Sequence, residues 1–337
     1  MRSAVRLSAL AAVLGLSLIP ATAGSWGNTG HRMVGVLAVQ ALPAEVPAFL
    51  RGQKAAEEMG ELAREPDRSK GSGKLHGTNR DPAHFVDIHD DGTVLGGPKF
   101  ADFPSTRAEY ETSLRAHGID TWKAGYLQYA MVDGYQQLVH DFGYWRVLTA
   151  AEKKARGKQK AWYRKDRIRR EKLLYANLAN FAHYVGDGSQ PLHATTHFNG
   201  WGDYPNPKGY TTERIHGPFE GDFVKGAVSA EMARSAMVPF ADCQCPVEKR
   251  TVAYLSRTQT FVDPLYRMWG EGAFRPGQTK GAEFAAERLG AGASELRDLI
   301  VMAWRESATT KVGWPAVAVA DVEAGKVDPY LSLVGED

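Results

Sequence analysis

Apolar side chains recur along most of this chain at steps of three and four, the period of a helix with one buried face, while alternating strand patterns are nearly absent. From Asn28 to Leu50 the stripe is Val34, Val36, Leu37, Ala38, Leu42 and Leu50, behind an Asn28/Thr29 start that can cap a helix, with Pro43 and Pro47 placed to end or kink it. Thr121 to Ala151 is dense in bulky groups, among them Tyr126, Leu127, Tyr135, Leu138, Phe142 and Trp145, and predicts a largely buried helix. Leu173, Leu174, Leu178, Phe181 and Tyr184 predict an amphipathic helix over Ile168 to Gly186. The pattern returns over Phe219 to Phe240, Val252 to Trp269 and Ala282 to Trp304. Residues 65 to 82, rich in Gly, Ser, Lys, Asn and Pro, read as a surface loop, and Gly92 to Pro104 as irregular. Residues 84 to 92 read as either a strand or a turn of helix. The tail beyond Val312, residues 314 to 337 above all, carries Pro315 and Pro329 and reads as an irregular wrap. No internal repeat or low-complexity linker divides the chain. The expectation is a mainly α, single-domain, multi-helix fold with long loops over residues 26 to 337.

The N-terminus changes that picture in one respect. Arg2 and Arg6, an apolar run from Leu7 to Leu18 and small residues from Pro20 to Ser25 have the form of a signal peptide over residues 1 to 25, with an apolar run too short for a stable membrane anchor. Cleavage can fall after Ala23 or after Ser25, and the second choice makes Trp26 the first residue of the mature chain. Loss of Arg2 and Arg6 takes the formal charge from +2 to 0, so no overall field selects a polyanionic partner. Export predicts an oxidising compartment, yet the only cysteines are Cys243 and Cys245, whose spacing allows a cramped disulfide. Bound metal is then a natural substitute for covalent stapling.

Residues 181 to 220 supply the ligands. His183 and Asp187 are four apart, so a helix puts both on one face, and His216 and Glu220 repeat the spacing. Gly186, Gly188 and Pro191 break the helix after Asp187 and let His193 turn back toward it; Pro218 suits the first turn of a new helix beside His216. Imidazole nitrogen and carboxylate oxygen are zinc ligands. Any one of these residues alone reads as an ordinary satisfied histidine or acid; five together do not. Two further pieces are Trp26-Gly-Asn-Thr-Gly-His31, where a free amine and the adjacent carbonyl can chelate a metal, and the pair Asp67 and His84, with Asp81 and Asp87 as rivals for the carboxylate.

The order Trp-Gly-x-x-Gly-His, Asp…His, His-x-x-x-Asp-x-x-x-x-x-His and His-x-x-x-Glu resembles the superfamily of secreted trinuclear-zinc phosphodiesterases, which holds the P-one/S-one type single-strand nucleases and the bacterial zinc-dependent phospholipases C. HYVGDGSQPLH is its most specific stretch here. The resemblance implies three zinc ions. Asp67, His84, His183 and Asp187 would hold the first, and His193, His216 and Glu220 the second. The amine and carbonyl of Trp26 with His31 would hold the third, which Asp187 bridges to the first. It also implies a zinc-activated water as nucleophile, with Asp67 as the catalytic carboxylate. No G-x-S-x-G pattern is present and neither cysteine falls in a motif, so no covalent nucleophile is suggested.

Substrate is read less directly. The spacing from Trp26 to His31 is nuclease-like, whereas Glu220 in the last ligand position is phospholipase-like. Lys153 to Lys172 holds eleven Lys/Arg against two acids, able to attract nucleic acid or anionic lipid, or simply to be a solvated helix face. Phe198, Trp201 and Tyr204 can stack a base or headgroup, or pack under a loop. The expected function is hydrolysis of single-stranded nucleic acid and 3′-nucleotides by a secreted enzyme with no obligate protein partner and no membrane anchor after processing. The alternatives are a phospholipase C acting on phosphatidylcholine-like lipids and a zinc-stabilised binding protein without catalysis.

Overall fold

The computed structural model describes residues 26–335; the expected signal peptide, 1–25, lies outside the described residues. Helix α1 (Gly27–Gln40) starts earlier than the Asn28/Thr29 pair expected to cap it. Its first turn closes with Gly30 N–H donating to the Trp26 carbonyl at 3.2 Å, with no side-chain cap, and it stops ahead of Pro43. α2 (Gln53–Leu62) packs across it. Residues 65–82 are not a loop: they form α3 (Glu65–Arg68) and α4 (Lys74–Arg80), followed by a 3-10 turn over Asp81–His84. α4 buries none of its residues, so it offers no apolar stripe to read. From Phe85 the chain is extended, touching its neighbours through isolated bridges such as Val86 with Gly125. α5 (Arg107–Ala116) is a further unforeseen helix. The Thr106 hydroxyl accepts from Glu109 N–H at 3.2 Å and the Glu109 carboxylate from Thr106 N–H at 2.9 Å, a reciprocal capping box.

The helix expected over Thr121 to Ala151 is two, α6 (Thr121–Ala124) and α7 (Leu127–Lys154). They divide at Gly125, whose φ of +72° and contact with the Phe85 carbonyl leave no room for a side chain. α8 (Gly157–Asp187) returns along α7 as the long arm of a helical hairpin. The helix expected over Phe219 to Phe240 breaks into a wide π-helical turn (Pro218–Phe223), α9 (Val224–Ala227) and α10 (Ala230–Ser235), and residues 236–246 are irregular. Cys243 and Cys245 form their disulfide there, Cα atoms 5.1 Å apart. α11 (Val247–Gln259) and α12 (Val262–Gly270) share the range expected of one helix, and α13 (Thr279–Glu306) runs through the centre.

One apolar core extends from Trp26, just before α1, to Ala303 on α13. The tail is not irregular. β1 (Lys311–Val312) pairs antiparallel with β2 (Val317–Ala318), and α14 (Val319–Ala324) and α15 (Tyr330–Val334) follow. Val312, Val319 and Val322 close on Val147 of α7 as a small separate cluster, which gives the tail a docking face. The fold is mainly α, and among the described residues no helix is long and apolar enough to cross a membrane.

Candidate metal centre

The last turn of α8 buries His183 and Asp187 completely. The helix ends just after Asp187, as expected, and its glycines have a further role. Gly188 keeps an ordinary right-handed backbone, and a Cβ there would lie 2.7 Å from Tyr254 Cε1; a Cβ on Gly186 would lie 3.1 Å from His31 Nδ1. Both give room for close packing. The turn itself is made by Gln190, whose side-chain oxygen accepts from Leu192 N–H at 2.8 Å and starts a 3-10 turn over Pro191–His193. That turn throws His193 back, as the sequence predicts. Its Nδ1–H donates to the His84 carbonyl at 2.5 Å and lies 3.7 Å from Asp187 Oδ1.

Four ligand atoms converge from three elements. Asp67 Oδ1 lies 3.9 Å from His84 Nδ1 and 3.7 Å from His183 Nε2. Asp187 Oδ2 lies 3.0 Å from His84 Nδ1 and 3.3 Å from His183 Nε2, and the two imidazole nitrogens are 3.0 Å apart. A tetrahedral ion with ligand bonds near 2.0–2.1 Å has ligand–ligand edges of about 3.3 Å, so these separations are those of a coordination shell. A second group joins the turn after α8 to the π-helical turn. His193 Nε2 and His216 Nε2 are 3.1 Å apart, and Glu220 Oε2 lies 2.9 Å from the latter and 3.6 Å from the former. His31 on α1 makes a third, its Nε2 3.4 Å from Asp187 Oδ1 and 3.9 Å from Asp67 Oδ2, its ring stacked on His183 at 3.8 Å. Each of the groups His31–His183–Asp187, Asp67–His84–His183 and His193–His216–Glu220 can hold a metal ion.

The surrounding chain prepares the ligands. A carbonyl only accepts, so the bond of His183 Nδ1 to the Ala63 carbonyl (2.8 Å) and that of His193 Nδ1 to the His84 carbonyl put a proton on each outer nitrogen and turn the Nε2 atoms inward, where a metal would need them. Gln190 Nε2 donates to Glu220 Oε2 at 3.0 Å. Glu220 Oε1 is buried without a hydrogen-bond partner, an atom that a bound ion would engage. Burial pushes the Asp187 and Glu220 carboxyls up, but the imidazoles beside them outweigh it and hold both below the usual range. Burial holds His183 and His84 down, neutral as metal binding requires. His193 goes the other way: burial lowers it, yet Asp187 and Glu220 raise it to about 9.

Asp67 rather than its rivals faces this cluster. Asp81 opens the 3-10 turn before His84, and neither it nor Asp87 belongs to a converging group; Asp87 is buried, and burial drives its carboxyl well above the usual range. Trp26 is completely buried. Its indole N–H donates to the Gly186 carbonyl (2.8 Å) and Ser189 Oγ (2.9 Å), pinning the start of α1 beside the end of α8. Of the three aromatics, Trp201 takes the packing role, stacked at 3.7 Å on His197 and 6% exposed, whereas Phe198 and Tyr204 stand 43% and 36% exposed. The sequence reading passed over two residues: Gln190, and Lys70, whose ammonium lies 2.6 Å from Asp67 Oδ1. The i, i+3 spacing of Asp67 and Lys70 is a signal, but only once that stretch is known to be helical.

No curated protein is similar enough to the chain to count as a relative. The profile of the S1/P1 nuclease family matches residues 26–203, more than half of the chain. The match takes in Trp26, His31, Asp67, His84, His183, Asp187 and His193 and stops short of His216 and Glu220, whose place beside the others rests on the geometry alone. The chain therefore belongs to the S1/P1 nuclease family, within the phospholipase C/P1 nuclease superfamily.

Proposed function

We propose that this chain is a secreted, zinc-dependent phosphodiesterase that hydrolyses single-stranded nucleic acid and 3′-nucleotides, with three zinc ions: one for Asp67, His84, His183 and Asp187, one for His193, His216 and Glu220, and one for the Trp26 amine and carbonyl with His31, beside Asp187. The observation that carries the reading is the convergence of Asp67, His84, His183 and Asp187 next to His193, His216 and Glu220; family membership supports nuclease chemistry. Imidazole and carboxylate donors without thiolate suit zinc. Divalent ions bound there would acidify water and neutralise charge on the phosphate. The chain's own groups do the rest. Asp67, 18% exposed at the edge of the cluster, orients the water; burial pushes its carboxyl up, but His183 and Lys70, whose ammonium lies 2.6 Å from Oδ1, outweigh that and hold it ionised, well below the usual range. The family match begins at Trp26, which supports cleavage before that residue and an amine available with its carbonyl and His31 for the third ion. Phe198 and Tyr204 are exposed enough to meet a base.

The test is the purified, zinc-loaded protein assayed on single-stranded DNA, RNA, 3′-nucleotides and phosphatidylcholine. Release of nucleotide or phosphate from the nucleic acid substrates is expected. Phosphocholine release without nucleotide release would replace this reading with the phospholipase C that Glu220 suggested.

A further inference from the structure

We infer that the groove between α2 and α8 binds a single nucleic acid strand alongside the metal centre, so that the chain grips a polynucleotide well away from the bond it cuts. The inference rests on the reading of the chain as a nuclease for single strands. The groove encloses about 730 Å³ and is lined by the rings of Phe49 and Tyr175 and by Arg51, Lys54 and Lys172, against one carboxylate, Glu58. Its aromatic wall is held in place: Tyr175 OH donates to the Phe49 carbonyl at 2.5 Å, and the Phe49 ring rests 5.5 Å from Trp145. Arg51 is anchored through Nε to the Val46 carbonyl, and among the described residues none of the three cations forms an ion pair.

The basic run on α8 divides once its partners are seen. Arg167 is bound to Glu152 and Glu171, Arg169 to Asp166 and Arg170 to Asp141, so those charges are spent within the fold. Lys158, Lys165 and Lys172 stay exposed at seven-residue steps, a single stripe with about 10 Å between members, and Lys172 delivers it into the groove. Lys172 and His183 lie eleven residues apart on the same side of α8, about 16 Å along it. At that end Leu62 lines the groove, and the carbonyl of the next residue, Ala63, holds His183 Nδ1 at 2.8 Å. The groove thus abuts the corner where α3 and the turn after it present the partly exposed Asp67 and Lys70.

Cations beside aromatic faces in a concave channel are what an unpaired strand needs: phosphates meet the charges and splayed bases lie on the rings, with no demand for sequence. A lipid surface would instead call for protruding apolar side chains among the cations; Ile168 and Leu173 do protrude on α8, but neither lines the groove. The test compares wild type with the Lys54→Gln/Lys172→Gln protein, both zinc-loaded. Binding of a hydrolysis-resistant phosphorothioate oligothymidine of about 20 nucleotides is followed by anisotropy across a salt series. Two lost phosphate contacts predict roughly tenfold weaker binding near 0.15 M salt and a salt slope shallower by about 1.4. kcat/KM on a dinucleotide should not change. Unchanged oligonucleotide binding and slope overturn the groove, as does a loss confined to binding of anionic phosphatidylserine vesicles. If the variant binds the strand weakly while wild type cleaves no nucleic acid, the groove stands and the proposed function falls.

Discussion

Gln190 ties two halves of the metal centre together with one side chain: its oxygen sets the turn that aims His193, and its nitrogen holds Glu220. Gln190→Leu is nearly isosteric and removes both bonds, leaving Leu192 N–H and Glu220 Oε2 buried with a partner fewer, at about 1–3 kcal/mol each. The variant is expected to fold with a lowered Tm, to lose the ion of the His193 group and to drop 10–100-fold in activity, as roughly expected for removal of a ligand-orienting partner; elemental analysis beside kinetics checks this, and full metal content at full rate would refute it. His193 makes a pH prediction. Its folded value near 9 exceeds the 6.5 of a free imidazole, so in metal-free protein its contribution to stability is complete below pH 6.5 and fades as pH rises toward 9. Metal needs the neutral ring, so affinity should climb over the same window, and zinc added at pH 7 should release a proton from this group. Calorimetry in buffers of different ionisation enthalpy measures that proton; none released at pH 7 would contradict the assignment. These ligands were legible in the sequence because four-residue spacing survives translation into a helix face. Gln190 was not, because its role depends on what folds opposite it; Lys70 was not, because its three-residue step from Asp67 counts only where the chain is helical.

Among the elements, the end of α8 and the start of α1 meet through glycines, and two substitutions separate space from site. Gly188→Ala pushes a methyl into Tyr254, an overpacking cost of about 1–3 kcal/mol that exceeds the entropy gained by losing a glycine. It should lower Tm and leave metal content alone. Gly186→Ala presses on His31 instead. Its larger effect should be on metal content and activity, visible as fewer ions per chain at a modest Tm change; if both variants shift only Tm, the glycines are packing devices and nothing more. The long helices were readable because each buries a stripe. Breaks inside them were not: the α6/α7 division rests on Gly125 meeting the Phe85 carbonyl, a long-range contact that periodicity does not report. α3 and α4 were misread because polar composition is shared by loops and solvated helices. α5 had its signal in Thr106 and Glu109, three apart, and was legible without any tertiary information.

Across the whole molecule, the metal centre gathers side chains from α1, α3, the turn before Phe85, α8, the turn after it and the π-helical turn, so ions there would cross-link segments from His31 to Glu220. Three carboxylates, Asp67, Asp187 and Glu220, come together with Lys70 as the nearby fixed cation, and the one disulfide closes only a single-residue loop far along the chain. Little else staples this fold covalently. An ion that binds the folded chain and not the unfolded one contributes about 4 kcal/mol when present at a thousandfold excess over its Kd. With several such sites, stripping the metal with a chelator should lower Tm by more than about 10 °C even at this chain length. Stoichiometric zinc should restore it, with the recovery stepwise if the three groups fill with different affinities. The tail docked on Val147 is remote from the ligands, so its proteolytic protection should change little on chelation while the 181–220 stretch opens. Scanning calorimetry with parallel elemental analysis decides the matter. A protein shown free of metal that melts where the loaded one does would mean the cluster is balanced by protons alone, with His193 carrying the charge that an ion was supposed to supply.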